Sequence, residues 1–278
     1  MTSTNPTDSD DLLTRIAGAL ERLAPAETAL VDWLAGPAYV WDRSGSRAVA
    51  ALAAPPLDLL RGIDAQKETV VANIARHAAG HAAHDMLLWG SRGMGKSALL
   101  RSGVVAAQGA GPIALVQVAP EALDGLTRLF GVLAGVPRPF LVYIDDLGFE
   151  DGDSTGPRQL RSWLEGGVEA RPANVRLAVT ANRRAIVNRH LSEQDDPINP
   201  RDAVDDRLAL ADRFGLSIGF HACSQEDYLA IIHGYAAAYR LACDDADALE
   251  WAKRRGARSG RVAWQYVTEL AGRAGRQL

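Results

Sequence analysis

Eight consecutive residues, Gly90-Ser91-Arg92-Gly93-Met94-Gly95-Lys96-Ser97, place glycines, a lysine and a hydroxyl at the spacing G-x-x-x-x-G-K-[ST]. Glycines there let the backbone turn its N–H groups inward toward an anion. An apolar segment, Met86 to Trp89, precedes the stretch, and Ala98-Leu99-Leu100 opens a helical pattern after it. The loop is therefore predicted where a strand passes into a helix, so that the helix N-terminus adds favourable partial charge. Lys96 is placed to reach the β and γ oxygens of a nucleoside triphosphate, and the Ser97 hydroxyl to ligate Mg²⁺. ATP and Mg²⁺ are the expected ligands, with the chain from Gly90 through Ala98 as the phosphate cradle.

A second pattern belongs to the same chemistry. Phe140 to Ile144 is an unbroken apolar run that ends in Asp145 and Asp146. Carboxylates at the carboxyl end of a buried strand beside a phosphate loop form a Walker B arrangement. Asp145 is expected to hold Mg²⁺, directly or through water, and Asp146 to orient or deprotonate an attacking water, with Glu150 four residues on as a substitute.

These loops need a sheet to carry them. Five short apolar runs, Met86 to Trp89, Ile113 to Val118, Phe140 to Ile144, Val175 to Thr180 and Leu216 to Phe220, alternate with helical patterns. That alternation predicts an α/β class, a doubly wound parallel five-stranded core. After Phe220 the pattern is wholly helical: Ser224 precedes Asp227 at capping spacing, a second helix starts near Asp245, and Ser259 opens the last. A C-terminal helical lid follows. The expected units are an N-terminal extension (1–54), a nucleotide domain (55–221) and the lid (222–278). The extension begins with the polar, acidic MTSTNPTDSDD, then helical runs over Leu12 to Leu23 and Ala29 to Leu34. Two short strands about a turn follow, near Ala38 to Trp41 and Ala48 to Ala51.

Composition bounds the function. The 278 residues are 47% hydrophobic and 23% charged with net charge −4, so a global nucleic-acid-binding charge is excluded. Two cysteines, Cys223 and Cys243, lack metal spacing and fit a reducing cytoplasm. No apolar run has the length of a membrane span, and no membrane partner is expected. His77, His81 and His84 fall at i, i+4 and i+7, but Gly80 interrupts the pattern, which reads as a solvated helix end rather than a metal site. From Trp251 onward seven cations face one acid, Glu269, a bias that leaves nucleic-acid contact open but less favoured than a solvated lid face.

With these motifs in place the chain resembles the AAA+ ATPases and, from about Trp41 onward, an uncharacterised bacterial family of predicted AAA+ ATPases. The likeness rests on Gly62-Ile63-Asp64-x-Gln66-Lys67-Glu68, the phosphate loop, Asp145-Asp146-Leu147-x-Phe149-Glu150 and Leu164-Glu165-Gly166-Gly167. It continues through Thr180-Ala181-Asn182-Arg183-Arg184, Asp212-Arg213-Phe214-Gly215, Tyr228-Leu229-Ala230-Ile231 and Ser259-Gly260-Arg261. The resemblance implies roles: Asn182 as a polar sensor of the water or γ-phosphate, and Arg213 as an arginine finger reaching a neighbouring subunit. It also implies Arg261 as a second sensor within the subunit, and Gly62 and Ile63 against adenine. It further implies a homo-oligomer, a ring or nucleotide-dependent assembly, acting on an unknown protein target. Most active superfamily members carry glutamate where this chain has Asp146. A nucleotide-gated switch with negligible hydrolysis therefore stands as an alternative, beside a DNA-associated loader.

Overall fold

The computed structural model describes residues 31–148, 163–164, 171–182 and 212–278, together with Arg15. Glu150, the helical run Leu12 to Leu23 apart from Arg15, and the Arg183-Arg184 pair lie outside the described residues.

Seven strands form one sheet in the order β2-β1-β4-β5-β6-β3-β7. They are β1 (Ala38–Asp42), β2 (Gly45–Val49), β3 (Met86–Gly90), β4 (Ala114–Val118), β5 (Phe140–Ile144), β6 (Val175–Ala181) and β7 (Leu216–Phe220). The five expected strands are contiguous and parallel, β4-β5-β6-β3-β7. Beyond them β1 pairs parallel with β4, and β2 turns back antiparallel as the edge. Residues 38–49, which the sequence pattern placed in an extension before residue 55, are thus two strands of the same sheet. Arg138 fixes this corner, donating to the carbonyls of Trp33 (3.0 Å) and Gly36 (2.7 Å).

The inner strands β3, β4, β5 and β6 are largely buried on both faces because alternate residues feed two separate cores. Met86 and Leu88 of β3 and Leu141 and Tyr143 of β5 face one core. Leu87, Phe140, Val142 and Ile144 face the other. On the first face pack α1 (Asp64–Ala78) and α2 (Lys96–Gln108), and on the second α3 (Leu126–Ala134). The lid is α4 (Gln225–Tyr239), α5 (Asp245–Arg254) and α6 (Gly260–Arg273). Its helices start where side chains satisfy their first amides: Ser224 accepts from Asp227 N, Asp244 from Asp247 N, and Ser259 from Val262 N. Among the described residues no helix is long and apolar enough to cross a membrane.

Two local expectations are corrected. The run ending at Leu34 is a turn over residues 31–35, since Asp32 Oδ1 accepts the Leu34 amide (2.8 Å) and Pro37 follows closely. His77 is buried rather than solvated: α1 ends at Ala78, and the ring Nε2 meets the Phe140 carbonyl at 3.0 Å. Burial lowers its pKa, which keeps the imidazole neutral.

Candidate functional site

The phosphate loop joins β3 to α2 as expected, and its glycines have different duties. At Gly90 (φ 123) a Cβ would run into the Phe220 backbone, so this position belongs to packing against β7. At Gly93 (φ 76) a Cβ would sit 2.9 Å from Ser259 Oγ and 3.0 Å from the Cβ of Arg261. Here the loop lies under the first turn of α6, whose Arg261 amide donates to the Gly93 carbonyl (3.1 Å). Lys96 is buried, and its Nζ donates to the carbonyls of Gly90 (2.8 Å) and Ser91 (2.9 Å). Burial lowers its pKa against the pull of Asp146 and Asp145.

Strand order then decides what meets the loop. Since β6 lies between β3 and β5, the ends of three parallel strands converge. Ser97 Oγ donates to Asp145 Oδ1 at 2.9 Å, and Thr180 Oγ1 donates to the same oxygen at 2.7 Å. Burial opposes the charge on Asp145, yet the hydroxyls of Tyr143, Thr180 and Ser97 outweigh it and hold the carboxyl below its usual range. Asp146 takes a left-handed backbone conformation, φ 50, and its amide donates to Thr180 Oγ1 (2.9 Å). The Asn182 amide donates to the Asp146 carboxylate, and Arg92 lies 3.7 Å from it.

Between core and lid these groups line a cavity of about 570 Å³, within the range of small-molecule sites. Of the expected residues, Ile63, Arg92, Gly93, Met94, Gly95, Lys96, Ser97, Ala98, Asp145, Asp146, Asn182 and Arg261 line it. Gly62, Gly90 and Ser91 are not part of that lining. Arg213 is not in the cavity either. It precedes β7, which runs parallel to β3 with Leu216 opposite Met86 and Phe220 opposite Gly90. Arg213 therefore sits at the opposite end of the sheet from the loop, about 16 Å of strand away.

The lining also contains residues to which motif reading gave no role: Leu59, Leu60, Arg61, Arg101, Thr180, Ile231, Tyr235, Gly260 and Trp264. Some carried a legible signal. Thr180 stands two before Asn182, near the end of β6, and Trp264 stands three after Arg261 on a helix. Ile231 and Tyr235 are an i, i+4 pair on α4. Five cations, Arg61, Arg92, Lys96, Arg101 and Arg261, line the cavity against two carboxylates, a balance suited to a polyanion. Of the two acids, Asp145 stands next to a serine hydroxyl, a hard oxygen pair suited to Mg²⁺. Among the described residues no cluster of three His, Cys, Asp or Glu side chains could hold a metal by itself.

Outside the cavity several cations of the basic lid segment have partners within the lid. Arg273 pairs with Glu269 (2.9 Å) and Asp247 (3.4 Å), Arg255 covers the Trp251 ring at 3.8 Å, and Arg276 donates to the Arg240 carbonyl (2.7 Å).

The fold recurs in solved structures. The Thermotoga maritima RuvB Holliday junction branch migration motor superposes with TM-score 0.52 at 17% identity, over 80% of this chain and 66% of that one. A single-residue variant of the same RuvB gives TM-score 0.54 at 18% identity, over 80% and 66%. The Aeropyrum pernix ORC1 protein in complex with DNA gives 0.52 at 15% identity, over 79% and 65%. This chain thus spans slightly under two thirds of the length of those proteins, and at such identity the likeness is one of fold. No curated protein is significantly similar in sequence. The sheet order, the loop and the lid make this an AAA+ fold, and through the match of residues 35–274 the chain belongs to the DUF815 family of proteins of unknown function.

Proposed function

We propose that this protein binds ATP with Mg²⁺ between its core and lid and hydrolyses it to drive a conformational change in a target protein. The observation that carries this reading is the 2.9 Å contact between Ser97 Oγ and Asp145 Oδ1 at the mouth of the phosphate loop. Ser97 and Asp145 would hold Mg²⁺, whose charge neutralises the β and γ phosphates. Lys96, now hydrogen-bonded to loop carbonyls, turns its ammonium to the γ-phosphate, and Arg261 adds charge from the lid. Ile63 would meet adenine, and Ile231 and Tyr235 of α4 add apolar surface to the same lining.

In hydrolysis a water oxygen bonds to the γ-phosphorus as the bond to the ADP oxygen breaks, and the water proton passes to a carboxylate. Asp146 is placed to accept it, oriented by Asn182. Arg213 cannot serve its own site from the far end of the sheet, so it serves a neighbouring subunit in a nucleotide-dependent assembly. The core (55–221) and lid (222–278) are the moving units, and the protein works in the cytoplasm.

One observation favours a second reading, a switch that holds ATP without turning it over: Asp146 is one methylene short of glutamate and is engaged by both Asn182 and Arg92. Steady-state phosphate release separates the two. The ATPase reading expects turnover that Lys96→Ala abolishes, and a larger particle mass with a slowly hydrolysed ATP analogue than without. Arg213→Ala should bind ATP normally and lose about 10²-fold or more in turnover. A parent that binds ATP but releases phosphate no faster than Lys96→Ala is a switch.

A further inference from the structure

We infer that Thr180 is a positioning residue of this site, one hydroxyl that sets both the Asp145 carboxylate and the Asp146 backbone. The inference deepens the ATPase reading and rests on it for the role of the two acids. Thr180 is 1% exposed, at the end of the strand that separates the phosphate-loop strand from the Asp145 strand. A hydroxyl has one proton to give and lone pairs to receive with, and here both functions are used on adjacent residues. Its proton goes to Asp145 Oδ1 at 2.7 Å, and its oxygen receives the Asp146 amide at 2.9 Å. The Thr180 carbonyl then takes the Leu147 amide at 2.8 Å. Three successive residues of the acidic turn are thereby tied to one residue of β6.

The ties matter because of what they hold. Asp146 is left-handed at φ 50, a conformation that residues other than glycine adopt at a cost and keep only when the surroundings enforce it. With a side chain one methylene shorter than glutamate, the backbone at Asp146 decides where the carboxylate lands. Asn182, the residue just after β6, secures the carboxylate itself. Ser97 also bonds to Asp145 Oδ1, and its proton can stay there while its oxygen lone pairs meet a cation. Thr180 is the residue whose one hydroxyl reaches both the Asp145 carboxylate and the Asp146 amide.

Thr180→Val keeps the shape and β-branching while deleting both hydrogen bonds, and Thr180→Ser keeps the hydroxyl. In the nucleotide-free protein, amide hydrogen exchange followed by NMR should show Asp146 exchanging at least about tenfold faster in Thr180→Val. Leu147, bonded to the unaltered carbonyl, should stay protected, and Thr180→Ser should restore Asp146. With nucleotide, Thr180→Val should need several-fold more Mg²⁺ for half-maximal ATP binding and lose about tenfold or more in kcat. Its ATP affinity without Mg²⁺ should stay at the parent value. Unchanged Asp146 exchange overturns the inference, and so does equal acceleration of Asp146 and Leu147, which means plain loss of packing. If the exchange pattern appears while the parent releases no phosphate, Thr180 still positions the turn and the ATPase reading alone falls.

Discussion

Two turns at the same edge of the sheet carry the chemistry, and they are built in opposite ways. The loop after β3 makes its unusual backbone from its own residues, with positive φ at Gly90, Gly93 and Gly95. The turn after β5 has a glycine at Gly148, yet its positive φ falls on Asp146. It holds that shape through Thr180 on the neighbouring strand and Asn182 just beyond that strand's end. A loop with its geometry in its own glycines can be recognised from eight residues. A turn that borrows its geometry shows only its acids, and the groups that aim them lie over thirty residues away.

The largest expected effect is on the self-contained loop. Lys96→Ala should weaken ATP binding by about 100-fold or more, because a charge-assisted contact to phosphate is lost, and titration calorimetry would measure it. The same change should barely affect the empty protein. The pKa of Lys96 is lowered in the fold, chiefly by burial, so its protonated form opposes folding at neutral pH. The parent gains stability only as pH rises past that lowered value, and Lys96→Ala removes the penalty along with two hydrogen bonds. A Tm within about 3 °C of the parent in the absence of nucleotide is the expected result. A drop well beyond that would show that Lys96 holds the empty loop together.

That contrast also accounts for what the sequence made legible. The five parallel strands are continuous apolar runs, the signature of strands buried on both faces, and the lid helices each begin at a capping side chain. The phosphate loop and Asp145 announce themselves by local order, and Asn182 through the family resemblance. Arg61 and Arg101 belong to no motif, and Tyr235 reaches the cavity only through the packing of the lid on the core. Thr180 reads as one more strand residue until β6 is seen between β3 and β5. His77 was misread because its burial depends on contact with Phe140, 63 residues on.

Backbone substitutions give the next effect. Gly93→Ala places a methyl 2.9 Å from Ser259 Oγ and demands φ 76 of an L residue, so it should cost about 1–3 kcal/mol and loosen α6. Asp146→Gly removes the left-handed penalty while Thr180 still binds the amide, so stability should stay within about 1 kcal/mol of the parent or rise, although turnover is lost. Chemical denaturation of both variants tests the pair. Equal destabilisation would mean that the acidic turn depends on its own residues as the loop does, and the distinction between them would fail.

The smallest effect concerns the direct link between the two turns, the contact of Arg92 with Asp146. The charges are 3.7 Å apart, but the side chains are 74% and 58% exposed. Water and salt screen such a pair, and holding two mobile side chains together costs entropy, so its coupling should be below about 0.5 kcal/mol. A double-mutant cycle with Arg92→Ala and Asp146→Ala, read by denaturation at low and high salt, measures it. Arg92 can still affect ATP binding through its place in the cavity lining, and for that reason the cycle is run on the empty protein. A coupling above about 1 kcal/mol that survives high salt would make loop and turn a single electrostatic unit. A value near zero leaves β6, with Thr180 and Asn182, as the element through which the acidic turn is aimed at the loop.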